Sequence, residues 1–223
     1  MEFTGFETGG LEEASATTNS PAVVTTPVRS GTYALSLAGA VSAPTYTFTG
    51  AAVTYPGVAG FGYRTTTVIP TNDTDFIRIQ AGGTIVVRLT LKAVTGDVDV
   101  VDNAGTVIGT ITAPFSANTW YFIEIFVSAT GVGATVTVFI DDVQKFSGTG
   151  NTGSPAFDQM RFAGDNVAAQ DTFIDDVYMG SVAVVGDRLG SNFNVPRTYQ
   201  NTDEDATDLG STLDAGTWAL AGE

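Results

Sequence analysis

Carboxylates are the ionisable groups this chain carries in number: 24 Asp and Glu stand against 9 Lys and Arg, with no His and no Cys. Without His or Cys, neither a Ser-His-Asp nor a Cys-His arrangement can be built. The commonest general base and metal ligand is also missing. A Ser-Lys pair would need Lys92 or Lys145, and neither stands in a suggestive Ser context. Glycoside hydrolysis needs only two carboxylates, about 5 to 9.5 Å apart across the scissile bond. The pattern that would set them on one strand, E-x-D-x-x-E, is absent. Glu124 lies in a strand-like run, but Phe126 follows where the acidic partner would stand. Glu124 therefore reads as a structural carboxylate, paired with a neighbouring Arg, and no enzyme is expected.

Calcium is the other chemistry open to carboxylates, since it takes about 6 to 8 oxygen ligands. Three oxygen-rich groups occur: Asp97, Asp99 and Asp102 with Asn103, then Asp141 and Asp142, then Asp175 and Asp176. Asp97 and Asp99 share one strand face, so Asp97, Asp99 and Asp102 form the calcium candidate. Ordinary turn chemistry and a solvated acidic face explain the same residues. No EF-hand spacing exists, and no cofactor other than calcium is expected. Tyr46, Phe48, Tyr55, Phe61 and Tyr63 could make an aromatic platform for a sugar or a neighbouring subunit. Aromatics at alternating strand positions also read as core or cross-strand pairs.

The elements that would position these residues are strands. Thr119 to Val127 (TWYFIEIFV) is β-branched and aromatic, apolar on both faces, and reads as a central strand. Ala134 to Ile140 alternates and reads as its hairpin partner, and Asp141-Asp142 turns the chain into Val143 to Phe146. Asp75 to Gln80 and Thr84 to Leu91 alternate around Arg78 and Arg88, joined by a turn at Ala81-Gly82-Gly83. Val98 to Val101 and Thr106 to Ile111 are joined by Asp102-Asn103-Ala104-Gly105. Tyr33 to Leu37, Gly57 to Thr67, Phe157 to Ala163 and Thr172 to Met179 are further strands. Glu12 to Pro27 is polar and reads as a loop or a loosely held edge segment. Gly is frequent (26 residues), and no amphipathic helix stands out. The expectation is an all-β, two-sheet antiparallel jelly-roll sandwich over residues 1–185. An acidic, extended C-terminal tail is expected over 186–223, with Phe193, Tyr199 and Trp218 as its candidate partner-binding anchors.

A net charge of −15 argues against nucleic acid, whose phosphates require Lys and Arg clusters, and against anionic membranes. No apolar run approaches the roughly 20 residues of a membrane helix. Met1 to Gly5 has neither a basic nor an apolar leader region, so synthesis in a cytoplasm without a secretory signal is expected.

Five phrases occur in order: FTGFETG (3–9), RSGTYALSL (29–37), WYFIEIFV (120–127), VTVFIDDV (136–143) and FIDDVYM (173–179). Together they resemble the concanavalin A-like, laminin-G-like jelly rolls of tailed-phage structural proteins. Asp141-Asp142 departs from the Asp-Gly turn usual there. The resemblance implies a virion structural protein made in the host cytoplasm and placed on the virion surface. It would be a capsid decoration (cement) protein or a head or tail fibre component. Its expected partners are the major capsid or tail protein and further copies of itself, as a homo-oligomer. The alternative is a carbohydrate-binding module that attaches to a host-surface glycan.

Overall fold

The computed structural model describes residues 2–7, 9–11, 14–38, 43–153, 156–164, 171–184 and 187–192. Fifteen strands make up its regular structure. They are β1 (Glu2–Thr4), β2 (Ala14–Thr18), β3 (Ala22–Val24), β4 (Ala34–Ala38), β5 (Thr45–Thr54), β6 (Gly57–Thr65), β7 (Thr74–Ala81) and β8 (Thr84–Leu91). After them come β9 (Val98–Asp102), β10 (Val107–Ile111), β11 (Tyr121–Val127), β12 (Val132–Ile140), β13 (Val143–Asn151), β14 (Ala156–Ala163) and β15 (Asp171–Ser181).

The strands form two antiparallel sheets packed as a jelly-roll sandwich. Sheet A has eight strands, in the order β13-β12-β11-β6-β15-β4-β3, with β1 paired to the second half of β15. Sheet B has seven, in the order β10-β9-β8-β7-β14-β5-β2. Alternation sends one set of side chains from each sheet into a shared core. Ala59, Phe61, Tyr63, Ile123, Ile125 and Val127 enter from sheet A, and Tyr46, Phe48, Ile77, Ile79, Leu89 and Phe162 from sheet B. Ring contacts tie the layers together, with Phe61 and Phe162 at 5.2 Å and Tyr63 and Phe76 at 4.7 Å between centroids.

Most expected strands are present; β1 and β5 are additional, and three further points differ. The polar segment 12–27 supplies β2 and β3, which close the two sheets at one edge by pairing with β5 and β4. The strand from Val143 continues through the Gly-rich run to Asn151 by pairing with β12, and Phe146 packs over Gly109 of β10. The expected aromatic platform is corrected: Tyr46, Phe48, Phe61 and Tyr63 are core residues, at most 5% exposed. The sheets need ring-sized fillers more than the surface needs rings, and among the described residues no aromatic side chain is exposed.

Two hairpins take tight two-residue turns. Gly82 and Gly83 have φ of +53° and +88°, and Asp141 and Asp142 have +48° and +65°. Two positive φ values in succession are the primed-turn geometry that matches strand twist. The Asp-Asp pair tolerates it because Asp141 accepts the Phe122 backbone N–H at 2.8 Å.

Candidate functional site

The two outer faces differ in character. On sheet A, Phe122, Glu124, Val58 and Tyr178 point outward but are buried, with Glu124 only 1% exposed. Residues 188–190 bond to Glu124 and Tyr178, Arg29 lies over Phe122, and Val182 packs against the same cluster. The Glu124 carboxylate accepts the Gly190 N–H at 2.9 Å and the Tyr178 hydroxyl, and it lies 3.0 Å from Arg188 Nε. Arg188 stacks over the Phe139 ring at 4.1 Å. Burial pushes Glu124 above the usual carboxylate range, against the pull of Tyr178, Gly190 and Arg188. The expected Glu124–Arg pair is thus present, and it seals a face.

Beside it, Arg29 pairs with Asp176 at 2.6 Å and lies over the Phe122 ring at 4.5 Å. Asp175 accepts the N–H groups of Arg29, Ser30 and Asp176 at 2.8, 3.2 and 2.8 Å. Burial, then the adjoining Asp176 carboxylate, push Asp175 up to about 8. Glu7 holds the preceding loop in a similar way, accepting the Thr32 N–H at 2.9 Å and the Tyr33 N–H at 3.4 Å. The ordered phrases around residues 7, 30 and 175 therefore meet in space, with Glu7 and Asp175 as the carboxylates that fix the loop at 29–33.

Sheet B is open and polar. Thr47, Arg161, Arg78 and Arg88 face outward in one row, as successive partners across β5, β14, β7 and β8. A second row runs Asp75, Thr90, Asp99, Thr110 across β7, β8, β9 and β10. Between them lies a depression of about 370 Å³ lined by Asp73, Asp75, Arg78, Arg88, Thr90, Lys92, Asp99 and Val101, with Gly105 and Val107 at its β10 end. Asp75 lies 2.9 Å from Arg78 and 3.3 Å from Arg88, and accepts the Thr90 hydroxyl at 2.5 Å. Lys92 bridges Asp73 and, at 3.7 Å, Asp99. The Ala93 N–H and then Lys92 hold Asp73 below the usual carboxylate range. Four of the nine basic residues of an acidic chain (Arg78, Arg88, Lys92 and Arg161) gather on this one face.

Among the three expected calcium ligands, only Asp99 lines this depression. Asp97 accepts the Ala113 N–H at 2.8 Å, and Asp99 accepts the Thr110 hydroxyl at 2.7 Å. Asp102 is buried and accepts the N–H groups of Thr106 and Asn151 at 2.9 and 3.0 Å, which ties sheet B to β13 of sheet A. Each carboxylate serves its own turn or strand. Among the described residues, no group of three or more acidic side chains gathers closely enough to hold a metal ion. The residues present thus do not fit a calcium site. The expected anchors Phe193, Tyr199 and Trp218 lie outside the described residues.

The arginine row escapes sequence reasoning for a definite reason. An unbroken hairpin around Gly82-Gly83 would set Arg78 opposite Val87 and turn Arg88 into the core. A register shift between Ile79 and Gln80 sets Arg78 opposite Arg88 instead and buries both Val86 and Val87. One residue of slip exchanges the faces. Arg161 joins the row only through the long-range pairing of β14 with β7.

No protein-family model matches the chain, and no curated protein matches it in sequence. Its fold is widely shared, with 239 matching chains of solved structure. The cellulose-induced protein Cip1 superposes with a TM-score of 0.59 at 14% identity, over 82% of this chain and 100% of its own. A sialidase gives 0.53 at 12% identity over 73% of this chain, and botulinum neurotoxin type C gives 0.53 at 10% over 74%. This chain spans 16% of that sialidase and 42% of that toxin chain. At these identities the likeness shows one thing, the β-sandwich fold.

Proposed function

We propose that this chain is a non-enzymatic carbohydrate-binding sandwich that holds an extended glycan across the outer face of sheet B. The observation that carries the reading is the contrast between the two outer faces. Sheet A is sealed around Glu124 and Tyr178 by residues 188–190, whereas sheet B offers an open depression lined by hydroxyl, carboxylate, guanidinium and ammonium groups. Sugar hydroxyls both donate and accept, so a surface presenting both kinds of partner on rigid strands suits them. Among the described residues no aromatic side chain is exposed, so the polar depression on this face carries the reading.

The shared fold supports the reading from another side. Cell entry of botulinum neurotoxin type C is dependent upon interaction with two ganglioside molecules, which are sugar-bearing lipids. The non-enzymatic part of the proposal rests on chemistry. A glycosidic acid must hold its proton near neutral pH, yet Asp73 on this face is held below the usual carboxylate range by the Ala93 N–H and Lys92, and the sequence lacks the paired-carboxylate pattern. A place on a virion surface is compatible with glycan binding, since a surface glycan is one kind of host attachment point. That location rests on the ordered phrases of the sequence, and mass spectrometry of purified particles would test it.

A glycan array probed with the full chain tests the function. Binding to a defined set of glycans, reduced by Arg88→Ala, is the expected result. A blank array with folded protein would overturn the proposal.

A further inference from the structure

We infer that the glycan bound on sheet B is acidic, and that Arg161, with Arg78 beside it, clasps an anionic substituent of the sugar. The inference rests on the glycan-binding reading and specifies its ligand. Arg161, Arg78 and Arg88 are direct cross-strand partners on β14, β7 and β8. Like charges directly opposite one another destabilise a sheet. Three guanidinium groups in a row should therefore come with carboxylates between them. Among the described residues only Asp75 is supplied; it pairs directly with Arg78 and Arg88 and reaches Arg161 through its charge alone. Arg161 has no hydrogen bond or ion pair among the described residues, and the buried Nε of Arg88 has no hydrogen-bond partner.

A chain with 24 acidic residues has no shortage of carboxylates to place there. Leaving one guanidinium unmatched, on a half-buried and rigid strand, presents a forked donor to a ligand. That fork fits a carboxylate or a sulfate ester in bidentate fashion. Burial and then the charge of Arg78 push the Arg161 guanidinium below its usual range, with the charge of Asp75 pulling the other way, so an arriving anion would add to a compensation that Asp75 alone leaves incomplete. Neutral sugars would gain little here: they leave the charge uncompensated and, among the described residues, find no exposed ring to stack on. The net charge of −15 repels a polyanion at long range, so selectivity must come from these short contacts.

The test is calorimetric titration of the full chain with matched oligosaccharides: oligogalacturonate and its methyl ester, and a sulfated galactan with its unsulfated form. The acidic member of at least one pair should bind about tenfold more tightly, the loss expected when a charged hydrogen-bonding partner is removed. Arg161→Gln should erase that preference, and Arg161→Lys should keep part of it. Preference for uronate alone, or for sulfate alone, supports the inference and identifies the anion. Equal binding of acidic and neutral members overturns it and leaves the glycan-binding function standing. An acidic preference that survives Arg161→Gln overturns the role of Arg161. Binding of none of the four overturns the inference, and a blank glycan array overturns the function beneath it.

Discussion

Replacing Arg161 by Met should stabilise the protein. Arg161 sits opposite Arg78 on one side and Thr47 on the other. Among the described residues the carboxylate of this row, Asp75, is already shared between Arg78 and Arg88 at 2.9 and 3.3 Å. Met keeps an apolar stem and removes the charge. An unfavourable cross-strand pair costs about 0.2–1 kcal/mol. With both side chains partly solvated, the expected gain is about 0.5 kcal/mol, which raises the melting temperature of a chain this long by about 1–2 °C. Urea unfolding at low salt, with Arg161→Lys as the charge-retaining control, measures it. The lysine variant should show no gain. The gain of the methionine variant should shrink in about 1 M salt, where the screening length falls to about 3 Å. A loss of more than about 1 kcal/mol on Arg161→Met would mean that the guanidinium holds the fold together. The idea that it is kept for a ligand would then fail.

Three further outcomes follow from the sealed face and its neighbours. Arg188→Ala leaves Glu124 buried without its cation, and should cost about 2–4 kcal/mol in urea unfolding; a cost below about 1 kcal/mol would show that residues 188–190 do not seal the face. Gly60→Ala would place a Cβ 2.1 Å from the Tyr178 ring, so the ring must leave its place over the strand, at about 1–3 kcal/mol, with loss of its Glu124 hydrogen bond visible in ultraviolet difference spectra. Asp175 holds its proton up to about 8 in the folded chain against 3.8 as a free side chain. The folded state then binds the extra proton between those values, so stability is full at the acidic end and falls as pH rises towards 8. The slope is at most about 1.4 kcal/mol per pH unit. Unfolding midpoints from pH 5.5 to 8 should therefore decline, and Asp175→Asn should flatten the decline; a rise over that window would contradict the burial argument.

The strands were legible where local alternation and turn chemistry agree. Thr84–Leu91 lies between the expected bounds because Gly82-Gly83 can only be a tight turn there. The strand Thr45–Thr54 carries no such mark. Gly50-Ala51-Ala52 interrupts its alternation, and it is held in place by β14, whose pairing with it shifts register between Phe157 and Gln159. The short edge strands at Ala14–Thr18 and Ala22–Val24 lie in a polar, Pro-punctuated stretch that reads as a loop or a loosely held edge segment, and pairing with β5 and β4 makes them strands. Glu124 was recognisable as structural because Phe126 stands where a second carboxylate would be needed. The calcium candidate illustrates the opposite. Asp97, Asp99 and Asp102 are close in sequence, but the backbone sends each to a different N–H or hydroxyl partner. The sheet B site was beyond local reading, since one bulge and one long-range strand pairing assemble its arginines.

The central claim is that the outer face of sheet B is the glycan site. Its most direct test is a side-chain NMR titration of the arginine Nε–H signals with the tightest-binding acidic oligosaccharide. The account predicts saturable shifts at Arg78, Arg88 and Arg161, with Arg29 and Arg188 on the sealed face unchanged. Shifts confined to Arg29 and Arg188, or none at saturating ligand, would contradict it.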